Sequence, residues 1–151
     1  SRPRNRSASA QTFAWPPLLW SVPIVLYTVG ILHANNWRDI GSDSEKKCRT
    51  LANLLGDRGS RMYYRLLVFS PFLIAAACVV AGRLAFAEMR APLTVFMVVL
   101  ALPVAIKLGM RDWRSHPAEF AMLDARTAQL HMMFGLLLIA GFLLGHVPLR
   151  V

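Results

Sequence analysis

Acidic residues are scarce in this chain: 8 Asp and Glu stand against 17 Lys and Arg, a formal net charge of +9 over 151 residues, and none precedes Asp39. Cysteine is scarcer, with only Cys48 and Cys78 and no metal-ligand spacing around either, which excludes a thiolate metal site and a disulfide framework. Cys78 falls in an apolar run and reads as a small core residue. Charge of either sign is missing altogether from residues 7–37, 66–82, 91–106 and 127–149, four gaps of 31, 17, 16 and 23 residues. No basic stripe with interleaved aromatics is present, so the positive balance does not point to nucleic acid. A basic segment followed by an apolar run and a cleavage site is also lacking. The first residue is Ser rather than Met, and the expectation is a chain that begins inside a longer protein.

What fills the gaps is apolar, in a chain that is 56% hydrophobic. A helix crosses a bilayer with about 20 mostly apolar residues, roughly 17 to 25. The four gaps therefore predict an all-α fold, a multi-pass transmembrane bundle with spans near 14–36, 63–82, 90–109 and 127–148. The second and third gaps are short, and their flanking Arg and Lys side chains are expected to snorkel. Residues 1–12 read as a disordered basic tail and 13–151 as the membrane domain. Pro23, Pro71 and Pro103 lie inside spans, where neighbouring helices can re-satisfy the freed carbonyls. Trp15 and Trp37 bracket the first span about 33 Å apart, the separation of two interfacial aromatic belts.

Four spans put the 38–65 and 107–126 loops on one side, with 11 Lys and Arg, and the N-terminus, the 83–90 loop and the C-terminus on the other, with six. The excess of basic residues predicts that the 38–65 and 107–126 side is cytoplasmic.

The polar loops carry the candidate chemistry. Asp39 and Asp43 are four residues apart, one face of a helix, with Asn35 one turn earlier and Arg38, Lys46, Lys47 and Arg49 around them. Carboxylates at a membrane boundary need a cation. Magnesium prefers oxygen ligands and is commonly held by one or two carboxylates and the phosphates of a substrate. Asp39 and Asp43 are thus candidate metal ligands, and Asn35 and Asn36 candidate neutral donors. Ser42-x-x-Glu45 is a capping-box pattern, followed by Cys48, Leu51, Ala52, Leu54 and Leu55 at helical spacing and Gly56 as a C-cap. It predicts a short amphipathic helix on the membrane surface, with Asp57-Arg58-Gly59 as the turn into the second span. Arg111 and Asp112 read as surface charges, His131 as a hydrogen-bonded core histidine, and Arg126, at the mouth of the last span, as a candidate phosphate or substrate contact.

The segment Ile31–Asp43, with its Asn-Asn-x-Arg-Asp-x-x-x-Asp pattern, then Arg49-Thr-Leu-Ala52 and Leu55-Gly56, resembles the UbiA superfamily of intramembrane aromatic prenyltransferases. The likeness is to the branch of 1,4-dihydroxy-2-naphthoate prenyltransferases of menaquinone synthesis and the animal UbiA-domain vitamin K enzymes. It continues weakly through Tyr64–Phe72 and returns at Arg126–Leu130 and Gly135–Leu138.

The resemblance implies a helical bundle with two aspartate-rich motifs on cytoplasmic loops. Both bind Mg2+ and the diphosphate of a polyprenyl donor, whose prenyl group is moved to an aromatic acceptor. Asp39 and Asp43 match the second motif as catalytic and metal-binding residues. Asn35, Asn36, Arg38, Lys47, Arg49 and Arg126 fall to substrate binding. Where the family commonly has Gly-Lys before Arg-Thr-Leu, this chain has Lys47-Cys48. The first motif is not found, so the resemblance implies the C-terminal half of such an enzyme, incomplete without its N-terminal half. Its partners are then the lipid bilayer, a polyprenyl diphosphate and an aromatic acceptor, and its location an integral, multi-pass one, in the cytoplasmic membrane if the cell is bacterial.

Other acceptors (ubiquinone, tocopherol or plastoquinone type) and a non-catalytic four-span protein remain alternatives. A CDP-alcohol phosphotransferase would need Asp-Gly-x-x-Ala-Arg upstream of the aspartates, which is absent.

Overall fold

Inside a bilayer no water satisfies the backbone, so an apolar stretch must bond to itself as a helix. The computed structural model describes residues 16–86 and 90–146. It contains α1 (Pro16–Arg38), α2 (Ile40–Glu45), α3 (Leu51–Leu84), a 3-10 helix (Leu93–Ala101) that runs directly into α4 (Leu102–Met110), α5 (Pro117–Phe120) and α6 (Leu123–His146). No strand occurs among the described residues. Four segments are long and apolar enough to cross a membrane: Pro16–Arg38, Leu51–Leu84, Leu93–Met110 and Leu123–Gly145. The all-α, four-span bundle is what the chain forms. The basic tail at 1–12 and Trp15 lie outside the described residues, as does the end of the last predicted span.

Two spans differ from simple α-helices. The third is 3-10 over Leu93–Ala101 and α only from Leu102, with Pro103 in the first turn of α4. Proline has no N–H to give to residue i−4, and its ring crowds that carbonyl, so a continuous α-helix through this point is disfavoured. The tighter helix rises about 2.0 Å per residue against about 1.5 Å for an α-helix, so the two parts together reach about 31 Å. The tighter winding lengthens this short span, which includes Lys107 in the last turn of α4. The second span runs past its apolar stretch at the N-terminal end. α3 starts at Leu51 and is broken at Gly56, where φ is +65° and ψ −177°. That backbone region is essentially closed to residues with a Cβ.

α1 packs against both α3 and α6, and α6 packs along the 3-10 helix. The Phe134 ring meets Tyr27 and Phe72 edge-on, each at 5.2 Å between centroids. The Tyr64 hydroxyl and the Thr127 hydroxyl share a hydrogen bond of 2.7 Å, and Thr127 donates in turn to the Leu123 carbonyl, so neither buried hydroxyl is left unpaired. On α6, Leu130, Phe134 and Leu138 are buried while Met132, Leu136, Ile139 and Leu143 face outward. The outward stripe is an apolar face that the described residues leave uncovered. Cys78 is buried, as its position predicts.

Candidate functional site: an ionic mouth at one end of the bundle

The ends of α1 and α4 and the starts of α3 and α6 bring the polar loops together. α1 stops at Arg38. Asp39 then adopts φ −95°, ψ 11° and leads into α2, and the Asp43 N–H donates to the Asp39 carbonyl at 2.9 Å. The two aspartates are thus one turn apart across a helix break, as their spacing predicts.

The capping box does not form. Ser42 lies inside α2, where its hydroxyl donates to the Asp39 carbonyl, and the residue before α2 is Asp39, whose side chain caps nothing. The working cap is Thr50, whose hydroxyl accepts the Asn53 N–H at 3.2 Å at the head of α3. Sequence reasoning passed over Thr50-Leu-Ala-Asn53 because the Ser-x-x-Glu pattern lay so near. The expected surface helix is therefore two pieces. α2 is tied to α3 by the Asn53 amide, which donates to the Ile40 carbonyl at 3.1 Å and the Ser44 hydroxyl at 2.7 Å. Between them Lys47 takes φ +55°, a left-handed conformation that costs a residue with a Cβ about 1–2 kcal/mol. The glycine common at this position in the resembling family would bear it freely. Asp57-Arg58-Gly59 is not a turn but the first helical turn after the Gly56 break.

Arg38 is the hub of the mouth. Its Nε donates to Asp39 Oδ1 at 2.8 Å and one Nη to Asp39 Oδ2 at 2.9 Å, a two-pronged pair. The same fork reaches Asp124 at 3.0 Å, the Ala121 carbonyl at 3.1 Å and the Asn35 side-chain oxygen. Arg38 thereby joins the end of α1 to the start of α6. Its hydrogen bonds hold the Asp39 carboxyl below the usual carboxylate range, helped by the charges of Arg38 and Lys46.

Asn36 and Asp43 are half-buried, and among the described residues Asp43 has no ion pair. Lys46, Lys47 and Arg49 are exposed. Among the described residues none of these three cations is paired with a carboxylate. Arg126 is paired with Glu119 at 2.9 Å, and Glu119 also holds Arg111. The Arg126 guanidinium lies 5.8 Å from the Trp113 ring centroid.

Asp57 was missed by the sequence reading. It accepts from the Trp37 indole N–H at 2.8 Å and from Arg114 at 2.5 Å. Trp37 is fully buried, against Phe120 and Tyr64, so it is a core residue and not half of an interfacial belt. A buried indole needs an acceptor, and that need is the one signal that pointed to a nearby carboxylate. Asp112 is exposed, as a surface charge should be, and both it and Arg111 are paired: Arg111 with Glu119, and Asp112 with Arg61 at 2.7 Å. His131 stacks on Tyr27 at 6.0 Å and lines an apolar groove with Ile24 and Gly135. Among the described residues it makes no hydrogen bond, which corrects the expectation of a bonded core histidine. The buried, bonded histidine is His33, on the Ser60 carbonyl at 3.1 Å.

The oxygen donors near the hub suit a hard cation. Arg38 occupies one direction at each Asp39 oxygen, and a carboxylate has about four acceptor sites in all, so capacity remains at Asp39 and Asp43. Among the described residues no group of three or more His, Cys, Asp or Glu stands close enough to hold a metal ion unaided. A metal here would need oxygens from a substrate or another segment.

Four apolar spans with an ionic, aspartate-bearing mouth define an integral membrane protein of the intramembrane helical-bundle class. The family model described as the UbiA prenyltransferase family matches residues 7–130, and the chain belongs to that family. UbiA prenyltransferase domain-containing protein 1 of Gallus gallus is 39% identical over 128 residues, 85% of this chain and 35% of that protein. The Xenopus tropicalis protein of the same name is 38% identical over 85% of this chain and 34% of its own length. The Homo sapiens one is 34% identical over the same shares. The chain thus spans about a third of the length of these relatives.

Proposed function

We propose that the intact protein transfers a polyprenyl group from its diphosphate to an aromatic acceptor, 1,4-dihydroxy-2-naphthoate in menaquinone synthesis, and that this chain supplies its second aspartate motif. Family membership supports the reaction class. The observation that carries the site is the pair Asp39 and Asp43, one turn apart just after the C-terminal end of α1, followed by three cations, Lys46, Lys47 and Arg49, that have no carboxylate partner among the described residues.

In this reading Asp39 and Asp43 hold Mg2+, which when bound neutralises charge that builds on the departing diphosphate. Arg38 keeps Asp39 ionised and aimed. Asn35 and Asn36 offer neutral oxygens, and Lys47 and Arg49 meet the diphosphate with positive charge. Arg126 stands on the other side of the mouth, where it would release Glu119 to contact substrate. The chain contributes one half of the site, the other aspartate motif coming from the N-terminal half of the enzyme. The mouth faces the cytoplasm, which in a bacterial cell makes the host the cytoplasmic membrane.

The test is incorporation of labelled polyprenyl diphosphate into dihydroxynaphthoate by the full-length protein. Transfer should require Mg2+ and fall at least about a hundredfold in Asp39→Ala and in Asp43→Ala. Transfer that survives both substitutions, or no transfer to any aromatic acceptor, defeats the reading.

A further inference from the structure

A second cationic feature lies away from Asp39 and Asp43, on the side of α3 that faces α4. Asp57, Arg58, Arg61, Met62 and Arg65 line a cavity of about 470 Å³ there. Residues 58, 61 and 65 are spaced by three and four, which places the three guanidiniums on one face over two helical turns. Two of them are fixed: Arg61 by Asp112 at 2.7 Å, and Arg65 by donation of its Nε to the Gly109 carbonyl at 2.8 Å. Arg58 is exposed. Asp57 is shared with Arg114 at 2.5 Å, so the two carboxylates in reach are outnumbered by four guanidiniums. Fixed, part-desolvated guanidiniums in excess of carboxylates select a phosphate.

Depth narrows the class of ligand. Arg65 is the last charged residue before the uncharged stretch 66–82, so this cluster stands at the level of lipid headgroups. Just beyond it, along the same flank of α3, Met62, Leu66 and Leu73 are 62%, 62% and 71% exposed. An anion at one end and a long apolar chain running into the membrane fit both halves of this surface. We propose that the cavity binds the phosphate of an anionic phospholipid, with an acyl chain along Met62, Leu66 and Leu73. A choline headgroup would bring a positive charge against guanidiniums whose nearby carboxylates are already paired.

The chain in nanodiscs of equal phosphatidylglycerol and phosphatidylcholine, released and weighed with its retained lipids by native mass spectrometry, tests this. Phosphatidylglycerol should be retained preferentially. Arg58→Gln should lower that preference about fivefold, the effect of one basic residue near a charged surface. Lys46→Gln with Lys47→Gln should leave it unchanged. Met62→Gln with Leu66→Gln should weaken retention of both lipids. Among the described residues Arg58 makes no ion pair, so its variant should keep the wild-type helical circular dichroism. A preference untouched by Arg58→Gln overturns the proposal. So does displacement of the lipid by millimolar inorganic phosphate, which would mark a soluble-anion site, or by geranyl diphosphate without Mg2+, which would mark a substrate path.

Discussion

Asp57 takes the Trp37 indole N–H and the Arg114 guanidinium on one carboxylate oxygen, with Arg61 4.0 Å from the other. This carboxylate links the end of α1, the start of α3 and the loop after α4. Asp57→Ala would leave the Trp37 N–H without a partner in a fully buried position, a loss of roughly 1–3 kcal/mol. Unfolding in mixed micelles, followed by tryptophan fluorescence, should show it. Asp57→Glu should recover part of the loss. The aspartates of the motif were legible because a four-residue spacing is a local property of a helix. Asp57 was not, since its partners lie 20 and 57 positions away in sequence. Trp37 was misplaced for the same reason: its distance from Trp15 suggested a belt, and only the packed Phe120 and Tyr64 rings make it a core residue.

Among the elements, the third span shows how a local rule and a packing contact combine. Proline at 103 was expected to be tolerated inside the span, and nothing local indicated which winding the preceding residues would take. The 3-10 helix lies hard against α6 at Gly141. A Cβ built there would stand 2.7 Å from the Thr94 carbonyl oxygen and 2.8 Å from Val95 Cα, both backbone. Gly141→Ala should therefore push the two helices apart and cost about 1–3 kcal/mol. Gly135→Ala, whose Cβ would meet only the Ile24 Cδ1 at 3.7 Å, should be tolerated. Thermal melts of the two variants side by side check the pair. The caps follow the same logic. Ser42 and Thr50 both head plausible patterns, and the choice fell to Thr50 because Asn53 can also fasten α2 through Ile40 and Ser44.

Across the whole molecule, ion pairs close one end of the bundle: Arg38 to Asp124, Arg61 to Asp112, Arg114 to Asp57, and Arg111 and Arg126 to Glu119. Asp39 is held below its ordinary pKa by its bonds to Arg38. A carboxylate with a depressed folded-state pKa adds stability that is complete above the unfolded value, near 4, and is lost as pH falls through the folded one. Glu119 is shifted the same way: burial raises it, and Arg126 and Arg111 more than offset that. Stability measured without Mg2+ should therefore be level down to about pH 5 and decline below it. Asp39→Asn should show a shallower decline than wild type. Equal slopes would mean that Arg38 gains nothing from ionised Asp39.

The sequence by itself determined the four spans, their helical nature, the end at which charge collects and the facing of Asp39 and Asp43. These follow from hydropathy and helical period, both of which act over neighbouring residues. Only the tertiary structure decided which cation meets which carboxylate, that Trp37 is buried, that Thr50 is the cap and that the third span is wound as a 3-10 helix over Leu93–Ala101. Those outcomes depend on which elements lie side by side, because a hydrogen bond or a close backbone contact forms only between groups that packing has already brought within about 3 Å.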